Sequence, residues 1–432
     1  MKTQQRGLMI AAPASGSGKT VVTLALLRAL RDRGVDIRAA KSGPDYIDPQ
    51  FHEIACGTAS VNLDAWAMKP GRLTGLAVAQ GGTHLIVEAA MGLFDGANDG
   101  SEAGSGSAAD LAAALGLSVV LLLDASRQSH SVAALVGGFA AFRDDVRIAG
   151  VILNRVGSER HEAMLRRALA PTGIAVLGAL HRNPGLMLPE RHLGLVQAGE
   201  LQVECFVEKA ARLVSESIDL DALEACFAPV KNCKSATRLP PLGQRIAIAR
   251  DTAFAFVYPH MLADWRVQGA ELSFFSPLRD EAPAQDCDAV YLPGGYPELH
   301  GGRLAQAESF KAGMARAARR GALIYGECGG YMALGQGLVD GYGVSHAMCG
   351  LLDLETSFAK CKLSLGYRQI EAGAGFALGS HMRGHEFHYS SAVSERGDPL
   401  FAVRNAAGTD LGNAGLRNGN VMGSYLHVID AA

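Results

Sequence analysis

The sequence lacks an excess of either charge. Its 40 Lys and Arg residues nearly balance its 43 Asp and Glu residues, which leaves a net charge of −3. General nucleic-acid binding needs a basic surface, because most of its affinity comes from phosphate contacts. We therefore predict that nucleic acid is not a partner.

Long apolar runs and closely paired cysteines are also missing. No run approaches the roughly 18 apolar residues of a membrane-spanning helix, so we predict no membrane insertion. The eight cysteines include no Cys-x-x-Cys pair, which gives no support for a zinc site or a disulfide framework. A cytoplasmic protein is the simplest interpretation.

Glycine, by contrast, is abundant. It accounts for 52 of the 432 residues, or about 12% against an average usage of about 7%. The glycines follow no collagen-like period, so we expect them in turns and loops where the backbone approaches something closely. Hydrophobic residues make up 48% of the chain, which is enough for large cores in two or three domains.

Short apolar runs alternate with helical stretches in the first 200 residues. The predicted strands are 8–12, 37–41, 85–89, 119–124, 149–154 and 174–180, and the first predicted helix is 21–33. The strands are apolar along their whole length, which is typical of parallel strands covered on both faces. This pattern predicts a doubly wound parallel α/β domain over residues 1–230.

Residues 231–244 are rich in Pro, Lys and Ser and have no periodicity, which is typical of a linker. The alternation restarts after this stretch. The predicted strands are 245–249, 271–275, 289–292 and 322–325, and the predicted helices are 261–268 and 304–319. We therefore predict a second α/β domain over residues 245–432.

The segment 8–20, LMIAAPASGSGKT, combines a strand, a glycine-bearing loop and a helix that opens with Lys-Thr. Backbone N–H groups of such a loop bind phosphate, the lysine reaches the terminal phosphates, and the threonine can bind Mg²⁺. These roles fall on Ser15, Gly16, Ser17, Gly18, Lys19 and Thr20. Pro13 stands where the pattern expects glycine, and an ordinary Gly/Ser turn is the alternative.

Acidic residues follow two of the predicted strands. Glu88 ends the third strand and Asp95 lies seven residues further on, while Asp45 and Asp48 follow the second strand together with Lys41. Carboxylates at the C-terminal ends of parallel strands converge on a bound ligand. We predict Glu88 as a Mg²⁺ ligand and Asp95 as a metal or substrate contact. The alternatives are a turn-forming Asp95 and a charged, solvated loop around Asp45.

A second chemical centre is predicted around residues 322–330, ALIYGECGG. Cys328 follows a strand at a glycine-rich turn, which exposes a nucleophile and directs N–H groups, such as that of Gly329, toward an oxyanion. A helix that starts there would lower the pKa of the thiol. The turn Gly294-Gly295 offers further oxyanion N–H groups, and His427 is a distant general base, as in thioester chemistry.

These motifs together resemble a known family. They are PASGSGKT, KSGPDYIDP, VEAAMGLFDG, VILNRVGSERH, LPERHLGL, LPGGYPE, YGECGGYM, GHEFHYS and GSYLHV. The chain resembles the glutamine-hydrolysing cobyrinic acid and hydrogenobyrinic acid a,c-diamide synthases of cobalamin biosynthesis. The resemblance implies a dethiobiotin-synthetase-like P-loop domain and a class I glutamine amidotransferase-like domain. It also implies a carbon–nitrogen ligase that uses ATP, Mg²⁺ and L-glutamine on a corrinoid, through acyl phosphates.

The resemblance also implies residue roles. Asn154 matches the residue that reads adenine, and Cys328 and His427 match the glutaminase nucleophile and its histidine. Residues implied around the substrate carboxyl phosphates are Asp45, Tyr46, Asp48, Asp95, Arg191 and His192, and those implied around Mg²⁺ are Thr20, Asp45 and Glu88. Related glutaminases often carry Glu two residues after the histidine, where this chain has Ile429. Asp430 and Glu386 are therefore the candidates for the third position.

Alternatives remain open at this level. The macrocycle could contain cobalt or be a nickel sirohydrochlorin, although the compact length favours the metal-free substrate. Cobyric acid synthases and MinD/ParA-like switch ATPases are more distant alternatives, and the latter leave Cys328 and His427 without a role. The two active sites are expected to face each other for ammonia transfer, and a homodimer is left open.

Overall fold

The computed structural model describes residues 4–97, 104–186, 202–231, 238–360 and 362–432. The chain divides into two compact units, Met1–Ala236 and Thr237–Ala432. Arg191, His192 and part of the predicted linker 231–244 lie outside the described residues. Within the described ranges, no helix combines the length and the apolarity needed to cross a membrane.

The first unit alternates strands and helices. Its strands are β1 (Arg6–Ala11), β2 (Ile37–Ser42), β3 (Val61–Leu63), β4 (His84–Glu88), β5 (Ser118–Asp124), β6 (Ile148–Val156), β7 (Val176–His181) and β8 (Ala228–Pro229). Its helices are α1 (Lys19–Asp32), α2 (Asp48–Cys56), α3 (Pro70–Ala79), α4 (Ala108–Leu115), α5 (Val132–Ala141), α6 (Glu159–Leu169), α7 (Gln202–Ser217) and α8 (Leu220–Ala225).

The main sheet of this unit runs in the order β3-β2-β4-β1-β5-β6-β7, and β8 also pairs with β1. All pairings are parallel except that of β8. Leu8, Met9 and Ile10 are each fully buried, so both faces of the central strand are covered. This two-sided burial explains the continuous apolar runs and confirms the predicted doubly wound fold. The short strands β3 and β8 were not predicted.

The second unit mixes a parallel sheet with a long antiparallel extension. Its first strands are β9 (Arg245–Ala249), β10 (Glu271–Phe275), β11 (Ala289–Leu292) and β12 (Leu323–Glu327). Its helices are α9 (Pro259–Val267), α10 (Gly301–Gln306), α11 (Glu308–Arg319) and α12 (Gly329–Leu334). Its later strands are β13 (Gly337–Val339), β14 (Ser345–Ala347), β15 (Asp353–Ser357), β16 (Ser364–Ala372), β17 (His381–His388), β18 (Ser391–Arg396), β19 (Asp398–Asn405), β20 (Asp410–Asn418), β21 (Val421–Ser424) and β22 (Leu426–Ala431).

The large sheet of the second unit curls back on itself. Its order is β10-β9-β11-β12-β21-β20-β19-β16-β17-β22, so five pairings separate β21 from β22. In a flat sheet five pairings would place these strands about 24 Å apart. They are joined by Tyr425 alone, and one residue spans at most about 7 Å between its neighbours. The curl therefore returns β22 to the region of β12.

Two predictions for this unit needed correction. The helix predicted over 304–319 is two helices, α10 and α11, because Ala307 has a ψ of 74° and leaves the helical region. No strand was predicted after residue 325, yet the structure has ten strands among the described residues beyond it. Many of them are polar or exposed on one face, as β16 and β20 are, so they lack the continuous apolar runs on which the prediction relied.

Candidate active sites

The phosphate-type loop of the first unit lies between β1 and α1. Gly16 and Gly18 adopt φ angles of +76° and +91°, in the left-handed region that favours glycine. The loop leads directly into α1, and the first-turn N–H groups of a helix have no acceptor within the helix and can bind phosphate. A Cβ at Gly18 would lie 2.6 Å from Nδ2 of Asn154, so the loop also packs closely against β6.

Lys19 opens α1 and is largely buried. Its ammonium donates to the carbonyl oxygens of Ala14, at 3.3 Å, and Met91, at 2.6 Å. Burial, followed by repulsion from Lys41, lowers the pKa of Lys19. The lysine is thus held at the loop by neutral carbonyl groups, which an anionic phosphate could replace as partners.

Glu88, at the end of β4, is the centre of a buried polar network. One of its oxygens, Oε1, accepts hydrogen bonds from the hydroxyl of Thr20 and from the ammonium of Lys41, both at 2.8 Å. Its other oxygen, Oε2, lies 2.7 Å from Nε2 of His52. Burial alone would raise the pKa of Glu88, but Lys41 and His52 outweigh it and hold that pKa well below its ordinary range.

Lys41 and Asp48 form the second layer of this network. Lys41 also contacts Asp48 directly, and Asp48 lies 3.3 Å from the hydroxyl of Thr20. Burial would lower the pKa of Lys41, but Glu88, Asp48 and Asp45 outweigh it and raise that pKa. Lys41 therefore stays charged. Two of its acidic partners, Glu88 and Asp48, also lie within hydrogen-bond distance of the Thr20 hydroxyl.

Sequence reasoning named Lys41 beside Asp45 and Asp48 without giving it a role, and it missed His52, although signals for both exist. Lys41 pairs with Glu88 in the parallel register of β2 and β4, so aligning the ends of the two predicted strands would have found it. His52 lies four residues after Asp48 on α2, a spacing that places both on one helix face. His52 is fully buried, and its second nitrogen contacts Ser60.

The oxygen donors around Thr20 fit Mg²⁺. Among the described residues, no group of three or more His, Cys, Asp and Glu side chains could hold a metal ion. Mg²⁺ commonly needs only one or two carboxylates, with phosphate and water oxygens completing its shell. Thr20 lies beside oxygens of both Glu88 and Asp48, so the hydroxyl and carboxylate chemistry suits that ion.

The other predicted contacts lie around this network. Asp45 accepts hydrogen bonds from the backbone N–H groups of Ile47 and Asp48, and its second oxygen lies 3.8 Å from Lys41. The structure thus places Asp48, and not Asp45, directly against Thr20. Tyr46 is half-buried in the same loop.

Asp95 and Asn154 both support turns of the backbone. Asp95 is exposed and accepts a hydrogen bond from the N–H of Gly92 at 2.9 Å. Its negative charge also acts to raise the pKa of Lys19. The amide of Asn154 donates to the carbonyl of Ser17 at 2.9 Å. Adenine recognition by Asn154 stays a prediction, as do the ligand contacts of Asp95.

Cys328 of the second unit lies on a strained turn between β12 and α12. Its φ of 48° and ψ of −106° are unusual for a residue with a side chain, and such strain concentrates at functional sites. A Cβ at Gly330 would lie 1.9 Å from the carbonyl oxygen of Leu292, and one at Gly329 would lie 3.1 Å from the backbone nitrogen of Gly295. Only glycine fits these positions, as the sequence predicted.

His427 reaches Cys328 because the sheet curls. β12 pairs with β21 through Glu327 and Ser424, and His427 follows three residues after Ser424. A Cβ at Gly294 would lie 2.4 Å from Cε1 of His427 and 3.3 Å from Cβ of Cys328. The structure therefore brings the predicted cysteine, histidine and glycine turn together, and all three are buried.

The charge states of this pair differ from the sequence expectation. Burial, followed by the charge of Glu298, raises the pKa of the Cys328 thiol, whereas the helix start was expected to lower it. Burial, followed by His385 and His388, lowers the pKa of His427 well below its ordinary value. The resting pair is therefore a neutral thiol beside a neutral imidazole.

One carboxylate close to His427 was not a sequence candidate. Glu327 Oε2 lies 3.9 Å from Nδ1 of His427. Glu386 instead binds Arg368 at 2.7 Å and His388 at 2.8 Å. Asp430 is also buried on β22, where it pairs with Arg383 of β17 beyond a register shift, and its role stays a prediction. The strand position of Glu327, on the same face as Tyr325, was the available signal.

Two family models match the chain. The CobQ/CobB/MinD/ParA nucleotide binding domain matches residues 8–196, and the CobB/CobQ-like glutamine amidotransferase domain matches residues 245–432. These matches confirm the predicted pair of α/β folds, a nucleotide-binding P-loop domain and a glutamine amidotransferase-like domain.

Curated relatives align over nearly the whole chain. A hydrogenobyrinate a,c-diamide synthase of Brucella anthropi is 59% identical over 433 residues, which cover 98% of both chains. A protein of the same name from Rhizobium meliloti is 58% identical and covers 98% of this chain and 99% of its own. Another, from Mesorhizobium japonicum, is 51% identical and covers 99% of both.

Proposed function

This chain belongs to the family of hydrogenobyrinate a,c-diamide synthases, and from that premise we propose that it amidates the a and c acetate carboxylates of hydrogenobyrinic acid with ATP and glutamine. The near-full-length identity to these relatives carries the proposal. The two chemically distinct sites support it, because phosphoryl transfer and glutamine hydrolysis need different machinery.

The first unit would activate the substrate carboxylate. A carboxylate is a poor electrophile, because forming an amide from it directly would expel oxide. Transfer of the terminal phosphoryl group of ATP to a carboxylate oxygen turns that oxygen into a leaving group. Lys19 and the loop N–H groups offset the charge of the transferred group. Mg²⁺, held by Thr20 with Glu88 and Asp48 when bound, would supply further charge compensation.

The second unit would release ammonia from glutamine. Sγ of Cys328 attacks the carboxamide carbon while His427 takes the thiol proton. The C–N bond then breaks, and His427 donates that proton to the leaving ammonia. Water hydrolyses the thioester and frees glutamate. Backbone N–H groups at Gly295 and Gly329 are the proposed oxyanion donors, with Gly294 shaping the turn.

Ammonia then attacks the acyl phosphate carbon and displaces phosphate. Ammonia is mostly protonated in water at pH 7, and ammonium is not a nucleophile. We therefore expect direct transfer between the two sites. The division at residues 231–244 into a synthetase domain and a glutaminase domain, a cytoplasmic location and a homodimer stay predictions.

A comparison of macrocycles tests the proposed substrate. The purified chain is supplied with ATP, Mg²⁺ and glutamine, and with hydrogenobyrinic acid, cobyrinic acid or nickel sirohydrochlorin, and the products are identified by mass spectrometry. We expect double amidation with a kcat/KM at least tenfold higher for the metal-free macrocycle. Preference for a metal-containing macrocycle would refute the proposed substrate, but the proposed reaction, glutamine-dependent amidation, would still stand.

A switch ATPase is the alternative from another class, since the nucleotide-binding family model also spans MinD and ParA proteins. Such a protein gives no role to Cys328 or His427. Glutaminase activity in the same preparation distinguishes the two functions.

A further inference from the structure

Glu327 occupies a position from which it can act on His427. Its side chain is almost completely buried, and its Oε2 lies 3.9 Å from Nδ1 of His427. Its Oε1 accepts a hydrogen bond from the N–H of Val428 at 3.1 Å. Val428 directly follows His427, so the carboxylate contacts the strand that carries the histidine.

Two tyrosines fix the orientation of this carboxylate. Tyr291 donates to Oε2 at 2.7 Å and Tyr325 donates to Oε1 at 3.1 Å. Tyr291 and Tyr325 are register partners on β11 and β12, and Glu327 lies two residues beyond Tyr325 on the same face. A carboxylate held by three donors has little freedom to turn away from the histidine.

We propose that Glu327 is the positioning residue of the glutaminase site, which orients His427 and stabilises its imidazolium when Cys328 gives up its proton. The inference rests on the proposed function. Proton transfer from a buried thiol creates a buried cation, which is costly unless an anion lies close to it. Glu327 supplies that anion from the residue next to the nucleophile. Related glutaminases often carry Glu at the position of Ile429. In this chain Glu327 would supply the carboxylate that Ile429 lacks.

The acid–base behaviour of Glu327 suits this role. Burial raises its pKa to about 7, although Tyr291, Val428 and Tyr325 all act to lower it. The other ionisable groups around Glu327, Cys328 and His427 are Tyr291, Tyr325, Glu298, Glu386, His385 and His388. Burial raises the pKa of Glu298 to about 7 as well. The carboxylate form of Glu327 therefore gains population as the pH rises through neutrality.

Glu327→Gln tests the proposal, with Glu308→Gln as the control, because the Glu308 side chain is 82% exposed and lies 3.0 Å from Lys311. We expect the kcat of glutamine hydrolysis to fall about 100-fold in Glu327→Gln, with little change in KM. The limb of the wild-type pH–rate profile near pH 7 should disappear. Glu308→Gln should retain that limb and a kcat within threefold of wild type.

Thermal unfolding separates a functional loss from a folding loss. The raised pKa means that the stability contributed by Glu327 is present below about pH 4.5 and is lost as the pH rises through about 7. Gln cannot ionise, so the Tm of Glu327→Gln should fall less than that of wild type between pH 5 and pH 8.5. An equal fall in Tm, or a kcat retained within threefold, or a limb that persists, overturns the proposal.

Tyr291→Phe is a second test of the role of Glu327, and it leaves the carboxylate in place. It removes one donor to Glu327, so the limb near pH 7 should move to higher pH, and an unmoved limb counts against the proposal. If wild type itself hydrolyses no glutamine, the proposed function fails. If wild type is active and Glu327→Gln is equally active, only the role of Glu327 fails.

Discussion

At the scale of single residues, the first unit keeps charged groups fully buried. Glu88 and Lys41 are 0% and 4% exposed, and each is compensated by two or more partners. Buried charges are tolerated only with such compensation, and removal of one partner typically destabilises a protein by about 3–5 kcal/mol. The network is therefore expected to fix the position of Thr20 as well as to serve the chemistry.

Glu88→Gln should damage synthesis with either nitrogen source. An amide keeps one acceptor oxygen and carries no charge, so either Thr20 and Lys41 or His52 would lose its acceptor, and Lys41 would lose a compensating anion. We expect synthesis from glutamine and from ammonia to fall about 100-fold, while glutamine hydrolysis at Cys328 continues. Assays of all three activities check this prediction.

Glu204→Gln is the matched control, because its side chain is 66% exposed and lies 3.7 Å from Arg28. Exposed ion pairs contribute about 0–1 kcal/mol, so this variant should retain full synthesis. Wild-type rates in Glu88→Gln would contradict the role assigned to the network.

Sequence reasoning at this scale found groups that follow a local pattern. Lys19, Thr20 and Cys328 lie in continuous sequence motifs, so their residue types and sequence neighbours were enough to select them as candidates. His52 and Glu327 act through contacts made by other elements. The packing of α2 against the end of β4 places His52 against Glu88, and the curl that returns β22 to β12 places His427 near Glu327; the spacing of residues along the chain does not specify either contact.

At the scale of elements, the turn after β12 determines the glutaminase site. A Cβ at Gly330 would lie 1.9 Å from the carbonyl oxygen of Leu292, and a backbone obstacle cannot move as a side chain can. We expect Gly330→Ala to lower the free energy of unfolding of the second unit by about 3 kcal/mol. Glutamine hydrolysis should fall with it, while ammonia-dependent synthesis persists. Denaturant unfolding and both assays measure these effects.

Gly373→Ala is the control for this substitution, because a Cβ there meets no described atom within 4 Å. It should leave stability within about 0.5 kcal/mol of wild type. Equal stability of the two variants would contradict the packing argument.

Elements were predictable where both faces are buried. Strands such as β5 are apolar throughout and were found, with boundaries that differ by a residue or two. The antiparallel strands after residue 337 have exposed faces and irregular alternation, as in β20, which is mostly exposed until Ala414. Their pairing depends on contacts between segments distant in sequence, which no local period encodes.

At the scale of the whole molecule, two chemistries are joined in one chain. Glycines occur at both proposed sites: Gly16 and Gly18 lie in the proposed phosphate loop, and Gly329 and Gly330 follow Cys328 at the proposed glutaminase site. The small net charge of −3 fits an enzyme in which buried local groups, and not a basic surface, meet the anionic ligands. The curated relatives from Brucella anthropi and Rhizobium meliloti align with this chain over 98% or more of their length.

Cys328→Ala assayed with both nitrogen sources tests the central claim most directly. The purified variant is incubated with hydrogenobyrinic acid, ATP and Mg²⁺, and diamide formation is measured with glutamine and, separately, with ammonium chloride at pH 8.5. The account predicts a loss of at least about 1,000-fold with glutamine and a rate within about twofold of wild type with ammonia. Equal loss with both sources, or retained synthesis with glutamine, would contradict it.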